Sequence, residues 1–258
     1  MSRADTPSYA EAGVSLNPFS AEYVQPGEIP YFFSPSFLEQ VRLSSPTLYA
    51  QAFVESFRYK FPLSTLIGCK TLNEKLADAG IRGQIIGPHG SGKSTLIESF
   101  AEYLGLTGFT VIKETLHNNQ RSVPRSLSAK LSALPDHFPD TPSKKTLLIL
   151  DGYEQLSFRN GIRLIRLCRR KNLGLLVTAH SPRLFAGPVL YRTETSCDTL
   201  QKIVSYLIGE SKFVPGDSLL SDLRGKHKKN TRAILDGLYD WWEKVQSLRI
   251  EEKPQKPQ

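Results

Sequence analysis

Cysteine is scarce in this chain: Cys69, Cys168 and Cys197 are all it has, far apart and without a C-x-x-C pair. That pattern excludes a disulfide framework and a cysteine-rich zinc site, so the three are expected as reduced thiols in or near a core. Also missing is any run of about eighteen apolar residues, the length a membrane-crossing helix needs. The opening Met1-Ser2-Arg3-Ala4-Asp5-Thr6-Pro7 is not followed by the apolar stretch of a signal peptide, and the expected compartment is the cytoplasm. Internal repeats are lacking too. Carboxylates are outnumbered, 25 against 33 lysines and arginines, which leaves a formal net charge of +8 and a pI near 9.3. Such a balance suits an acidic partner such as nucleic acid, or a polyanionic nucleotide, without choosing between them.

What is present begins with 258 residues at 40% hydrophobic composition, enough to bury a full core as one large domain with room for a small appendage. The chain is organised around Gly87-Pro88-His89-Gly90-Ser91-Gly92-Lys93-Ser94-Thr95, which satisfies G-x-x-x-x-G-K-[ST] in full. Gln84-Ile85-Ile86 before it reads as a buried strand, and the apolar spacing from Thr95 to Leu104 predicts a helix after it. Chemistry dictates those residue types. Gly87, Gly90 and Gly92 bring successive backbone N–H groups close to a phosphate chain at the positive end of a helix. Lys93 supplies an ammonium for the β- and γ-phosphates, and the Ser94 hydroxyl suits a magnesium ion. The plainer alternative is a glycine-rich turn that only mimics a phosphate-binding loop.

Alternation of apolar runs with helical periodicity runs through the middle of the chain. Phe109 to Ile112, Thr146 to Asp151, Leu173 to Thr178 and Pro188 to Arg192 read as further strands, and Ser126 to Leu134, the segment after Asp151 and Thr199 to Ile208 as helices. This pattern predicts a three-layer α/β/α sandwich around a mostly parallel sheet. Residues 1–45 carry five prolines among aromatics and are expected as an extended arm packed on the domain, without regular structure and partly disordered at its start. Residues 46–80 are expected as a helical segment against the core, 81–210 as the core itself, 211–250 as a small helical lid and 251–258 as a disordered tail.

The strand ends supply the rest of a site. Asp151 closes the strongest apolar run and suits the magnesium ion beside Ser94; the alternative is an N-cap of the next helix. Glu154 is the nearest candidate to deprotonate an attacking water, against a helix first-turn acid. Thr178 and His180 end the adjacent strand, placed to sense a γ-phosphate or simply to hydrogen-bond a turn.

Together these stretches resemble an ASCE-class P-loop ATPase, the superclass holding the AAA+ and STAND groups. Leu148-Ile149-Leu150-Asp151-Gly152-Tyr153-Glu154 is similar to the D-G-x-[DE] Walker B of NACHT-type STAND proteins. The resemblance covers roughly residues 80–245 and implies an Mg2+-dependent ATPase that couples ATP hydrolysis to a conformational change, with homo-oligomerisation as an option. Asn230-Thr231-Arg232-Ala233-Ile234-Leu235 looks like the start of an AAA+ lid helix, which implies Arg232 as an arginine approaching the phosphates. The chain departs from the pattern where Glu154 is not adjacent to Asp151, and no L-S-G-G-Q signature is present.

Arg159, Arg163, Arg166 and Arg170 share one helix face opposite Phe158, Ile162, Ile165 and Cys168. That stripe, and the run Lys226 to Lys229, suit nucleic-acid phosphates, an acidic partner or plain solvent. Trp241 and Trp242 are expected to anchor the lid. Two other functions stay open: a small-molecule or nucleoside kinase, with an acceptor site in Thr115 to Ser143 around Arg121 and Arg125, and a nucleotide-gated binding module with little turnover.

Overall fold

Five short strands take up the apolar runs, and the computed structural model, which describes residues 17–59, 61–117, 120–134, 146–209, 214–228 and 230–251, sets them in one parallel sheet. They are β1 (Arg82–Ile86), β2 (Thr110–Thr115), β3 (Thr146–Asp151), β4 (Gly174–Ala179) and β5 (Val189–Arg192), in the order β2-β3-β4-β1-β5. β3 and β4 are buried along their whole length, as expected for strands covered on both faces. Their side chains divide by period 2. Leu147, Ile149 and Leu176 join one core with helices α3 (Leu63–Asp78) and α4 (Lys93–Leu106); Leu148, Leu150, Leu175 and Val177 join a second core with α5 (Arg125–Ala133) and α6 (Phe158–Arg170). The fold is thus the expected α/β sandwich with helices on both faces.

Residues 17–45 depart from the expectation of an arm without regular structure, because α1 (Pro35–Ser44) forms there. Pro35 stands in the first turn, where a missing N–H costs nothing, and the Ser34 hydroxyl accepts from Phe37 N–H at 3.3 Å. Pro46 in turn starts α2 (Pro46–Tyr59). The segment before α1 is irregular but buried at Phe19, Ile29, Tyr31, Phe32 and Phe33. Tyr31 N–H donates to Ser99 Oγ of α4 at 3.0 Å, and Thr65 Oγ1 of α3 donates to Tyr31 O at 2.9 Å. Residues 1–16, 135–145, Lys229 and 252–258, on which parts of the arm, the acceptor stretch, the basic run and the tail were placed, lie outside the described residues.

The C-terminal helices α7 (Cys197–Ile208), α8 (Asp217–Lys226) and α9 (Thr231–Glu251) build a third core around Leu200, Val204, Leu238 and Trp242. Phe19 and Phe32 of the arm complete it, with Phe19 edge-on to Trp242 at 6.1 Å between ring centroids. The arm therefore bridges two cores, Tyr31 and Phe33 serving the first and Phe19 and Phe32 the third.

The link from β4 to β5 has no helix. Residues 180–188 return along the sheet on the α6 side, and Gln84, a polar residue in an otherwise apolar strand, holds them. Its amide Nε2 donates to Gly187 O at 2.7 Å and to Arg183 O at 3.2 Å, and Arg183 N–H donates to Gln84 Oε1 at 2.8 Å.

Candidate functional site

All of the polar strand ends meet at the carboxyl edge of the sheet, where open α/β sheets take ligands. A cleft of about 590 Å³ opens there, lined by the loop from His89 to Thr95, by Asp151, Glu154, Thr178 and His180, by the arm, and by α7 and α9. The volume is that of a small-molecule site.

The loop after β1 turns through Gly90 at φ 68° and Gly92 at φ 85°, left-handed conformations that side chains rarely adopt. It delivers Lys93 and Ser94 as the first residues of α4, at the positive end of that helix. Lys93 Nζ lies on its own loop, donating to Gly87 O and Pro88 O at 2.7 Å each and standing 3.3 Å from His180 Nδ1. Burial holds its ammonium below the ordinary lysine value, against the opposing pull of Glu154 and Asp151.

Ser94 Oγ donates to Asp151 Oδ2 at 2.7 Å, which joins the loop to the end of β3 across the intervening strand β4. Thr178 Oγ1 donates to Asp151 Oδ1 and accepts from Gly152 N–H at 2.9 Å. Its hydroxyl, at the edge of the cleft, is thus already engaged in holding Asp151. Asp151 is no N-cap, since Ser157 precedes α6. The donor pair of a serine hydroxyl and a carboxylate is oxygen-only, which fits a hard cation such as Mg2+.

Glu154 sits in a single helical turn after Gly152, its Oε1 2.9 Å from His180 Nε2. Its side chain is 11% exposed, and Oε2 is buried without a partner. His180 is the hub. Nε2 faces Glu154, Nδ1 faces Lys93, and the ring packs on His89 with centroids 3.7 Å apart. Nδ1 also stands 3.3 Å from Gly87 O, so which contacts are hydrogen bonds depends on where the ring carries its hydrogen.

Arg232 is exposed in the first turn of α9 and lines the cleft. Asn230 caps α9 by accepting Ala233 N–H at 3.3 Å, and Thr231 N–H donates to Gly90 O at 3.0 Å, so the helix starts directly on the glycine-rich loop. A Cβ on Gly90 would fall 1.8 Å from Asn230 Oδ1. Thr193 Oγ1 meets Ser91 Oγ and Thr195 Oγ1 meets Thr231 Oγ1, each at 2.6 Å, and Val24, Ile29, Ile203 and Leu235 give the cleft an apolar end. Asn230 directly before a helical pattern was a readable cap signal; nothing local marked the threonines.

Other expectations resolve away from the cleft. Arg121 and Arg125 are exposed and do not line it. Cys69 and Cys168 are buried, whereas Cys197 is exposed. Trp242 is buried in the third core as an anchor. On α6 the buried face is Gly161, Leu164, Ile165 and Cys168, and Phe158, expected inside and on the same side as Ile165 two turns on, is 65% exposed at the first position of the helix.

No protein-family model matches the chain, and no curated protein matches it in sequence. Several solved structures are similar in fold. A RuvB mutant from Thermotoga maritima is 16% identical, with 70% of this chain and 63% of that chain covered at a TM-score of 0.48. PCH-2 from C. elegans is 12% identical over 83% of this chain and 71% of its own, at 0.39. A Walker-type ATPase of Pyrococcus abyssi is 11% identical over 68% and 66%, at 0.43. The chain spans less than two thirds of the RuvB chain's length. Among the described residues no helix is long and apolar enough to cross a membrane.

Proposed function

We propose that the chain binds ATP with Mg2+ in this cleft and hydrolyses it, passing the change to the helical lid through α9. The observation that carries this is the Ser94–Asp151 hydrogen bond, because it unites a complete phosphate-binding loop with a strand-end carboxylate remote in sequence. Glycine-rich turns that only mimic the motif have no reason to bring that acid.

In this reading the loop N–H groups and Lys93 take the phosphates, and Lys93 gives up Gly87 O and Pro88 O to do so. Ser94 and Asp151 would hold the magnesium ion, with Thr178 orienting the carboxylate. An ion held by these two side chains would supply positive charge against the phosphates. The base occupies the apolar end between the arm, α7 and α9. Glu154 Oε2, unpartnered and buried, accepts a proton from water as the water oxygen bonds the γ-phosphorus and the bond to the β-bridging oxygen breaks, releasing ADP. His180 fixes Glu154, and Arg232 enters from the lid. Free thiols at Cys69, Cys168 and Cys197 accord with a cytoplasmic setting.

A binding module with little turnover is the second reading, favoured by the contact of Glu154 with His180. Fluorescent-ATP titration and phosphate release separate the two. Lys93→Ala should lose nucleotide affinity at least about tenfold, since it removes a charge-assisted phosphate contact; wild-type affinity would overturn the site. Glu154→Gln should bind ATP normally and lose phosphate release, and a wild-type enzyme that releases none supports the module instead.

A further inference from the structure

We propose that α6 and the β4–β5 connection form a second binding surface, outside the nucleotide cleft, for single-stranded nucleic acid. The charge is concentrated there. Between Gln155 and Thr193 the sequence has no Asp or Glu, yet it carries Arg159, Arg163, Arg166, Arg169, Arg170, Arg183 and Arg192, besides Lys171, which is buried and donates to Leu134 O. All five arginines of α6 are exposed, and none forms an ion pair among the described residues. At 1.5 Å per residue, Arg159 to Arg170 makes a guanidinium stripe about 16 Å long, opposite the buried face of the helix. Guanidinium groups match phosphate oxygens in pairs.

Apolar groups flank that stripe where solvent alone gives them no purpose. Phe158 is 65% exposed and Phe185 62%, with ring centroids 6.5 Å apart, and Leu184 beside them is 75% exposed. Their presentation is built. Phe185 is held at φ 66°, a strained backbone for a bulky residue, by a connection tied at Arg183 and Gly187 to the buried Gln84 amide. Two exposed aromatic rings joined to an acid-free arginine stripe make a stacking platform with a phosphate track, the combination that recognises unpaired bases. An isologous contact with a second copy would set these arginines against one another, and a duplex keeps its bases stacked away from the rings. The same connection begins at His180, so one chain segment runs from the cleft to this surface.

Anisotropy of a labelled mixed-sequence strand of about 20 nucleotides, as DNA and as RNA, tests this on the full chain. We expect low-salt binding with log K falling against log salt by about 0.7 per phosphate engaged, roughly 3 in total for four arginines. Replacing Arg159, Arg163, Arg166 and Arg170 together by Gln should abolish it. Phe158→Ala with Phe185→Ala should weaken the single strand roughly 5- to 100-fold and leave weak duplex binding unchanged. Fluorescent-ATP affinity should stay at wild type in both variants, which keeps this test separate from that of the cleft. The proposal is overturned by no binding at low salt, by wild-type binding in the four-arginine variant, or by duplex preference. Poly-glutamate or anionic vesicles that outcompete the strand, or loss of self-association in the arginine variant without nucleic-acid binding, would assign the surface to a protein, a membrane or a second copy and equally overturn it.

Discussion

Thr178 shows how a residue's chemistry depends on what its one hydroxyl is already doing. Donating to Asp151 and accepting from Gly152 N–H, it is a positioning residue for the carboxylate. Thr178→Val keeps the shape and removes both bonds. Loss of such an outer partner should lower Mg2+-dependent ATP affinity roughly 10- to 100-fold while leaving affinity in EDTA unchanged, and equal losses in both conditions would refute the role. The cysteines separate by burial in the same way. Desolvation pushes the Cys168 thiol up to about 11, and Cys69 higher still, so both favour the neutral form in the folded chain. Their stabilising contribution is complete below the ordinary thiol value near 9 and is lost as pH rises from there towards 11. Melting temperature should therefore fall across that window, less steeply in Cys168→Ala, and iodoacetamide near neutral pH should label only Cys197 before denaturation. Labelling of Cys168 in the native protein would contradict its burial.

At the scale of elements, connections decide more than the elements they join. β4 and β5 are parallel neighbours of β1, a relation that usually calls for a helical crossover, yet residues 180–188 suffice. They suffice because Gln84 answers the polar groups that a helix would have satisfied internally. Gln84→Met keeps the volume and leaves Arg183 N–H and two carbonyls unpartnered. At about 1–3 kcal/mol for a buried unsatisfied group, urea unfolding should show a loss of at least that size, and proteolysis should shift to residues 180–188. An unchanged midpoint would mean that water replaces the amide. Similar logic places α1, where prolines that argue against helix in its interior start one at Pro35 and the next at Pro46.

For the whole molecule, the arm is the coupling element. It carries Tyr31 and Phe33 into the core beneath the glycine-rich loop and Phe19 and Phe32 into the core of α7 to α9. Phe19→Ala should cost about 3–5 kcal/mol, the usual loss for a buried phenylalanine, and should also weaken ATP binding because α9 starts on Gly90. Destabilisation without any change in ATP affinity would show that the helices and the loop are independent. By itself the sequence determined the strands, the G-x-x-x-x-G-K-[ST] loop and the strand-end position of Asp151, because a buried parallel strand must be a continuous apolar run and that loop has its glycines and lysine at fixed spacing. Only the tertiary structure decided that Thr178 serves Asp151, that His180 stands between Lys93 and Glu154, that Asn230 and Thr231 meet Gly90, and that Phe158 faces solvent beside Phe185. Each of those depends on which strands lie side by side and how far a helix is rotated, and these are set by packing between segments remote in sequence, which no local pattern records.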